Sequence, residues 1–455
     1  MAKVKKAFFC NSCGAESPQW FGRCTVCGQW NSCSEEVISA APSKAKSLGL
    51  SSSFRGVSSP AVAIQNVVHS AVNRIDLGSG ELNRVLGGGL VPGSMVLVGG
   101  EPGIGKSTLA LQIALRLPNF RVLYVSGEES PEQIKLRADR IGIINEQCLI
   151  LSETSLENII LQATELAPEM VVVDSIQTLF SERIESSPGS VSQIRECAAM
   201  LLKFAKESGI PMLIIGHITK EGTIAGPKVL EHIVDVVFQF EGDTNSPYRI
   251  LRSIKNRFGA TSEIGVFEML SDGLREVENP SEILVSHYEE PLSGIAIGAS
   301  IEGQRPYLIE TQALVSPAAY SVPGRSSTGY DYKRMSMLLA VLEKRQGFKL
   351  GQKDVFLNLA GGFKSMDTGL DLALVAAIIS SALDVAIDSK TCFAGEVGLS
   401  GEVRSAPFTE LRIYEAARLG FERIVISVYA KIVKPPLGIN IVCVSKVNEL
   451  AAKLF

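Results

Sequence analysis

Short apolar runs alternate with longer amphipathic segments between Arg74 and about Glu276. This alternation is typical of an α/β fold, a sheet covered by helices on both faces, on which ligands bind at the carboxyl ends of the strands. The predicted strands are Met95–Gly99, Arg121–Ser126, Leu149–Leu151, Met170–Asp174, Met212–Gly216, Val236–Phe240 and Tyr248–Ile254. The predicted helices are Leu109–Leu115 and the segments around Pro131–Ile141, Leu156–Leu166 and Val191–Ser208.

The connection after the first predicted strand carries the most specific motif of the chain. Its sequence, GEPGIGKST, matches G-x-x-x-x-G-K-[ST] and lies between a strand and a helix, as a phosphate-binding loop does. Glycines let backbone N–H groups close around an anion, and the helix N-terminus adds its positive dipole end. The lysine reaches the β- and γ-phosphates, and the serine hydroxyl holds Mg²⁺. We therefore predict ATP binding by Gly100, Glu101, Pro102, Gly103, Ile104, Gly105, Lys106, Ser107 and Thr108.

Polar residues at the ends of three other strands are candidates for the same site. Asp174 ends an apolar run and is predicted to complete the Mg²⁺ shell with Ser107. Glu128 and Glu129 follow another strand, where a carboxylate can activate the attacking water, and we favour Glu128. His217 ends a further strand and is predicted to sense the γ-phosphate. A histidine held by backbone groups is the alternative.

Composition narrows the class of protein. The chain has 455 residues, of which 46% are hydrophobic and 20% charged, and this predicts two to three globular domains. The net charge of −4 gives no global basic field, so nucleic-acid binding must come from local patches. The N-terminus lacks the apolar core of a secretory signal, and the most apolar segment, Leu372–Leu383, is short enough to be a buried helix. We expect a cytoplasmic protein without membrane contact.

The N-terminal head contains two C-x-x-C pairs at the spacing of a four-cysteine zinc site. Paired disulfides are the alternative, which a reducing compartment disfavours. Cys33 lies outside the pattern, and Trp20, Phe21 and Trp30 are expected to pack around this small unit. The predicted zinc ligands are Cys10, Cys13, Cys24 and Cys27.

The sequence leading into the phosphate-binding loop, Glu81–Ser94, resembles the RecA superfamily. Together with the cysteine head and the motif Lys255–Gly259 (KNRFG), it resembles the RadA (Sms) family of bacterial DNA repair proteins from Cys10 to the C-terminus. The resemblance implies a homo-oligomeric ring, probably hexameric by family pattern, with ATP bound between subunits. It also implies that Glu128 matches the catalytic glutamate of RecA, and that His217 takes the place of RecA's strand-end glutamine.

Two further roles come from the resemblance alone. Lys255 and Arg257 are expected to reach the neighbouring subunit's γ-phosphate, as arginine fingers do. The connections Leu179–Ser192 and Thr219–Lys228 are expected to face the ring channel and grip single-stranded DNA. Two long surface loops are the alternative, since Phe180 is their one aromatic residue.

From about Leu292 the sequence resembles the proteolytic domain of Lon, through Gly303–Tyr307, Asn358–Gly362 and Gly395–Val403. Lon cuts peptides with a serine–lysine dyad. By alignment, Gly369 stands at the serine position and Glu410 at the lysine position, so we expect no peptidase activity. The predicted segments are a zinc finger at 1–33, a linker at 34–68, a RecA-like ATPase domain at 69–290 and an inactive Lon-protease-like domain at 291–455.

A basic segment between Gly324 and Asp354 is a candidate DNA-contacting face, with a solvated helix surface as the alternative. Its basic residues are Arg325, Lys333, Arg334, Lys344, Arg345, Lys349 and Lys353.

These patterns lead to one principal hypothesis. The chain is predicted to be a DNA-dependent ATPase that uses ATP, Mg²⁺ and structural Zn²⁺ and moves along single-stranded and branched DNA. By resemblance, it promotes branch migration alongside RecA in recombinational repair. The alternatives are an ATP-dependent protease of Lon type and a RecA-like signalling ATPase that binds proteins.

Overall fold

The computed structural model describes residues 4–10, 15–30, 33–39, 73–217, 228–242, 247–286, 288, 290–318 and 322–454. These residues form two compact units. The first takes in the chain up to Thr261 together with Phe267–Glu276, and the second takes in Ser262–Val266 and Val277–Phe455. No helix in the described part of the chain is long and apolar enough to cross a membrane.

The N-terminal head is a small antiparallel sheet in the order β2-β1-β3. Its strands are β1 (Val4–Cys10), β2 (Glu16–Ser17) and β3 (Cys33–Ser39). The sheet thus includes the first residues of the predicted linker. The expectation that the tryptophans pack inside the head is wrong, because Trp20 and Trp30 are 65% and 68% exposed.

The rest of the first unit alternates strands and helices as predicted. Its elements are α1 (Gly80–Leu86), β4 (Met95–Gly100), α2 (Lys106–Leu115), β5 (Val122–Ser126), α3 (Pro131–Ile141), β6 (Cys148–Ser152), α4 (Leu156–Leu166), β7 (Met170–Asp174), α5 (Val191–Ser208), β8 (Met212–His217), α6 (Lys228–Ile233), β9 (Val236–Glu241), β10 (Tyr248–Asn256), β11 (Ile264–Leu270) and β12 (Gly273–Glu276). Nine described strands form one sheet in the order β12-β11-β10-β9-β4-β8-β7-β5-β6. All seven predicted strands and all four predicted helices are present, with ends shifted by up to three residues.

Every residue of β4, β5 and β7 is buried, because helices cover both faces of the sheet. Alternate residues of β4 belong to two different apolar cores. Val96 and Val98 pack in the core that contains α2, whereas Met95 and Leu97 pack in the core that contains α5. This alternation fixes the register of β4 and hence the position of the loop that leaves its carboxyl end.

The second unit contains a seven-stranded described sheet in the order β15-β16-β14-β13-β17-β20-β21 and a separate β18-β19 pair. Its elements are α7 (Pro280–Leu284), β13 (Ile295–Glu302), β14 (Arg305–Pro317), β15 (Arg325–Thr328), α8 (Tyr332–Gln346), β16 (Lys353–Leu359), α9 (Asp371–Leu383), β17 (Thr391–Ala394), β18 (Glu396–Val397), β19 (Val403–Arg404), α10 (Thr409–Arg418), β20 (Arg423–Ser427), β21 (Asn440–Val444) and α11 (Asn448–Leu454). Helix α9 is buried from Asp371 to Ser380, so the prediction of a buried apolar helix is confirmed.

Candidate nucleotide site

The loop between β4 and α2 has the shape of an anion cradle. Gly103 and Gly105 have φ angles of 78° and 110°, which favour glycine, and Gly105 is the N-cap of α2. Gly105 offers no side-chain oxygen to the first-turn amides, and no acidic residue lies in that turn. A Cβ on Gly100 would lie 2.6 Å from the carbonyl oxygen of Phe240, so a larger residue cannot be accommodated there. The loop therefore presents free N–H groups and a positive dipole end to a phosphate group.

Lys106 lies inside this loop. Its ammonium donates to the carbonyl oxygens of Gly100 and Glu101, at 2.9 Å each, and the side chain is almost fully buried. Burial lowers the pKa of Lys106 to about 8, while the nearby charges of Asp174 and Glu128 oppose this shift. The lysine is thus held at the loop with two carboxylates close to it.

Asp174 ends β7 next to the start of α2. Its carboxylate accepts hydrogen bonds from the Ser107 hydroxyl and, at 2.8 Å, from the Tyr124 hydroxyl. Burial raises the pKa of Asp174, and these two hydrogen bonds act against the rise. A carboxylate and a hydroxyl side by side at a phosphate cradle are a donor set that suits Mg²⁺. Tyr124 was not found by sequence reasoning, because a buried tyrosine within a strand has no motif.

The two adjacent glutamates after β5 have different partners. Glu128 accepts a hydrogen bond from the Ser175 hydroxyl at 2.6 Å and lies close enough to Lys106 to affect its pKa. Glu129 forms an ion pair with Arg137 of α3. The carboxylate of Glu128 therefore faces the nucleotide edge, whereas that of Glu129 is engaged by a helix.

His217 is the last residue of β8 and pairs in register with Gly100 of β4. Its backbone therefore lies directly beside the start of the phosphate loop. Its side chain lies outside the described residues, as does nearly all of the Thr219–Lys228 connection, of which the structure describes only the backbone of Lys228.

Arg249 is a further residue at this edge that the sequence did not reveal. It lies at the start of β10, is only 8% exposed, and its Nε donates to the carbonyl oxygen of Ile104 at 3.3 Å. Gly242 permits this approach, because a Cβ there would lie 2.6 Å from Cδ of Arg249. A buried cation thus supports the phosphate loop from the side opposite Asp174.

Lys255 and Arg257 lie at the other edge of the sheet. Asn256 pairs with Val236 of β9, and Val236 pairs with Val96 of β4. Val96 is four residues before Gly100, which places the KNRFG motif about 13 Å along the strand from the phosphate loop. The motif is therefore remote from the phosphate loop of its own chain.

At that edge both cations have partners within the chain. The Lys255 ammonium donates at 2.5 Å and 2.8 Å to the carbonyl oxygens of Glu231 and Val234, at the C-terminal end of α6. Arg257 pairs with the buried Asp235 at 3.4 Å. Burial lowers the pKa of Lys255, and the neighbouring charge of Arg257 lowers it further.

The predicted DNA connection after Asp174 is partly anchored. Gln193 of α5 donates to the carbonyl oxygens of Ser181, Ile184 and Ser186, and so fixes the segment that precedes the helix. Its exposed charged side chains are Glu182, Arg183 and Glu185. Contact with a polynucleotide there would fall to Arg183 and to backbone amides.

In the head, the sulfur atoms of Cys10, Cys24 and Cys27 all lie within 4.8 Å of one another. Cys10 and Cys24 are buried, and thiolates at this spacing suit tetrahedral Zn²⁺. Cys13, the fourth predicted ligand, lies outside the described residues.

In the second unit, the position of the expected protease dyad holds a buried ion pair. Gly369 lies against Arg412, since a Cβ on Gly369 would be 2.7 Å from Nη1 of that arginine. Arg412 is fully buried and pairs with Asp367 at 2.6 Å. Glu410, which the alignment placed at the lysine position, instead accepts hydrogen bonds from the backbone amides of Val433 and Lys434. The dyad lysine is thus matched in space by Arg412, two residues away from the predicted position.

The basic segment is not uniformly available for DNA. Arg334 pairs with the buried Asp371 and, at 3.6 Å, with Glu396. Lys333, Lys344, Arg345 and Lys349 are exposed. The interpretation as a solvated surface therefore applies least to these four side chains.

Comparisons with known proteins cover all three regions of the chain. A model described as a rubredoxin metal-binding domain matches residues 8–35, an AAA domain model matches residues 66–223, and a model of subunit ChlI of Mg-chelatase matches residues 328–429. The predicted fold class is confirmed: a RecA-like α/β core with an N-terminal zinc ribbon and a Lon-like C-terminal domain.

Curated relatives match over nearly the whole chain. The DNA repair protein RadA of Bacillus subtilis is 50% identical over 99% of this chain and 98% of its own length. RadA of Pseudomonas aeruginosa is 44% identical over the full length of both chains. Among solved structures, a KaiC-like protein of Pyrococcus horikoshii (20% identity, TM-score 0.38) and the RadB recombinase (24%, TM-score 0.36) each cover 45% of this chain and 99% of their own.

Proposed function

The chain belongs to the RadA family of DNA repair proteins, and from this premise we propose that it is a DNA-dependent ATPase that moves along single-stranded DNA as a ring. One observation carries the proposal. Lys106, the Ser107–Asp174 pair and Glu128 come together at one edge of the sheet, around a loop built to hold phosphate groups.

ATP would bind with its phosphates in the loop of Gly100–Thr108. Lys106 would neutralise charge on the β- and γ-phosphates, and Ser107 and Asp174 would hold Mg²⁺, which supplies charge stabilisation for phosphoryl transfer. The hydrogen bond from Ser175 orients Glu128, whose free oxygen would accept a proton from the attacking water. His217, beside Gly100 in the sheet, would respond to loss of the γ-phosphate at the start of the 218–227 connection.

The ring is supported by the position of the KNRFG motif. Lys255 and Arg257 are too far along the sheet to serve their own phosphate loop, so any role at a γ-phosphate requires a neighbouring copy. On engagement, Lys255 would have to leave the carbonyl oxygens at the end of α6, the helix that follows the predicted DNA connection. This exchange would link hydrolysis in one subunit to movement of DNA by the next.

At the level of biology, we propose branch migration of recombination intermediates together with RecA, and a cytoplasmic location. Unwinding of a forked DNA substrate, measured with and without RecA, tests this step. A motor that acts equally on its own would leave the ATPase assignment intact and remove the RecA-dependent role.

We also propose that the Lon-like domain is not a peptidase. Gly369 supplies no nucleophile, and the Arg412 guanidinium cannot act as a neutral amine base. Its exposed lysines, with Arg345, are proposed to contact DNA phosphates instead.

The first experiment is the Lys106→Ala substitution. We expect hydrolysis to fall by on the order of 100-fold or more, because the variant loses the cation at the developing phosphate charge. Lys203→Ala, an exposed lysine on α5, is the matched control and should retain activity. Turnover stimulated by single-stranded DNA in the control, and lost in Lys106→Ala, supports the proposal. Normal turnover in Lys106→Ala contradicts it, and stimulation by proteins but not by DNA favours the signalling ATPase.

A further inference from the structure

The N-terminal head displays aromatic surface that its own fold does not use. The chain has two tryptophans, both in the head, and each is about two-thirds exposed: Trp20 at 65% and Trp30 at 68%. Tryptophan is usually well buried in a folded protein, because its large ring system gains most from leaving water. Two such rings on one small metal-binding unit point to a ligand that covers them.

The surroundings of the two rings are polar and cationic. The guanidinium of Arg23 lies over the Trp30 ring, 5.7 Å from its centroid, and its Nε is fixed by a hydrogen bond to the carbonyl oxygen of Gly28 at 3.0 Å. Gln19 and Gln29, which precede the tryptophans, are exposed. One face of Trp30 is therefore covered by a fixed cation, and its other face remains for a planar group.

The charge of the head separates it from the rest of the chain. Residues 1–33 contain four basic side chains (Lys3, Lys5, Lys6, Arg23) and one acidic side chain (Glu16), a formal charge of +3, whereas the whole chain carries −4. A zinc ion with four thiolates would contribute about −2, which leaves the head slightly positive in an otherwise acidic protein. A weak positive excess beside exposed rings suits a polyanion with planar bases.

We propose that Trp20 and Trp30 form a stacking surface on the zinc-binding head that binds the bases of single-stranded DNA. This surface is a second DNA contact, separate from the ring channel proposed above. Stacking on aromatic side chains is tolerant of base sequence, and an arginine beside the ring adds attraction for the adjacent phosphate. A protein-docking surface is the competing assignment, and it would require an apolar patch that continues beyond the rings. The only other large apolar side chain exposed in the described part of the head is Val26.

The position of the tryptophans makes the test specific. Because the chain has no tryptophan outside the head, its intrinsic tryptophan fluorescence reports on the head alone. The full-length protein is titrated with oligothymidylate in the absence of nucleotide, while binding is followed in parallel by the anisotropy of a labelled oligonucleotide. We expect saturable quenching that tracks the anisotropy signal and weakens as salt is added.

Substitutions then separate stacking from folding. The double variant Trp20→Ala/Trp30→Ala should bind oligothymidylate at least about fivefold more weakly, which corresponds to the loss of about 1 kcal/mol of stacking. The double variant Trp20→Phe/Trp30→Phe keeps aromatic rings and should recover most of the affinity. Val26→Ser, which removes an exposed apolar side chain of the same head, should bind as the wild type does. Equal zinc content in all variants checks that the head is folded.

Two results would overturn the proposal. One is unchanged tryptophan fluorescence at oligonucleotide concentrations at which anisotropy shows saturation, because the DNA then lies elsewhere. The other is a fluorescence change with a protein partner such as RecA and none with DNA, which assigns the surface to protein docking. Because the titration needs no hydrolysis and can be repeated in Lys106→Ala, its outcome is independent of the proposed ATPase.

Discussion

At the scale of single residues, neighbouring side chains of the same type differ in what holds them. Glu128 and Glu129 are adjacent in sequence, yet Ser175 binds the first and Arg137 binds the second. Arg137 lies on α3, so the engagement of Glu129 depends on how that helix packs beside β5. This difference favours Glu128 as the group that receives the proton from water.

The two glutamates can be compared directly. Glu128→Gln should lower the rate of ATP hydrolysis by about 100-fold or more, since general-base catalysis contributes on that order. ATP binding should persist, because the phosphate loop is unchanged. Glu129→Gln should lower the rate by less than about tenfold and reduce thermal stability instead, because it weakens a partly buried ion pair. Single-turnover hydrolysis and nucleotide binding, measured side by side, check both; a larger catalytic loss in Glu129→Gln would reverse the assignment.

Arg412 shows a residue whose role is set by burial. Its guanidinium is bound by Asp367 and by the carbonyl oxygens of Ala299 and Pro407. Removal of one member of a buried ion pair leaves the other charge without compensation.

Arg412→Ala should therefore destabilise the C-terminal unit by about 3–5 kcal/mol. The measurement is the unfolding transition of that unit in denaturant, with Arg423→Ala, a partly exposed arginine with a 3.7 Å ion pair, as the control. A variant as stable as the control would show that the ion pair is dispensable.

At the scale of elements, β9 and β10 connect the phosphate loop to a strand that no motif identifies. Antiparallel pairing places the start of β10 beside the end of β9, and this brings Arg249 under Ile104. Gly242 is the element of sequence that allows the close approach.

Gly242→Ala should displace Arg249 without removing its charge, because the added Cβ would lie 2.6 Å from Cδ of the arginine and 3.0 Å from the carbonyl oxygen of Tyr248. We expect the KM for ATP to rise by about tenfold with a smaller change in kcat, since a shift of the loop weakens phosphate binding before chemistry. Gly80→Ala is the control, because its Cβ would meet only the Glu276 carboxylate at 3.7 Å. Equal KM values in the two variants would separate Arg249 from loop positioning.

At the scale of the whole molecule, the sheet places the phosphate loop and the KNRFG motif at opposite edges. A complete site of the proposed kind therefore needs two copies of the chain. This arrangement predicts that two inactive variants can complement each other.

A mixture of equal amounts of Lys106→Ala and Arg257→Ala should regain ATPase activity. In randomly assembled rings about a quarter of interfaces combine an intact phosphate loop with an intact finger, so activity should approach about a quarter of the wild-type value. Each variant alone is the control and should be inactive. No gain on mixing, under conditions in which subunits exchange, would mean that Arg257 does not act between subunits.

Sequence by itself determined the local features: the strands and helices of the core, the phosphate loop and the identity of the fold. Periodic burial and a glycine-rich loop before a helix are encoded within a few neighbouring residues, so a pattern along the chain is sufficient to find them. Tertiary structure decided which partner each polar side chain has. The contacts of Tyr124 with Asp174, Arg249 with Ile104 and Arg412 with Gly369 join residues 43 to 145 positions apart. The exposure of Trp20 and Trp30 likewise depends on how the head folds around its cysteines, because burial is a property of packing in three dimensions and has no signature at a single position.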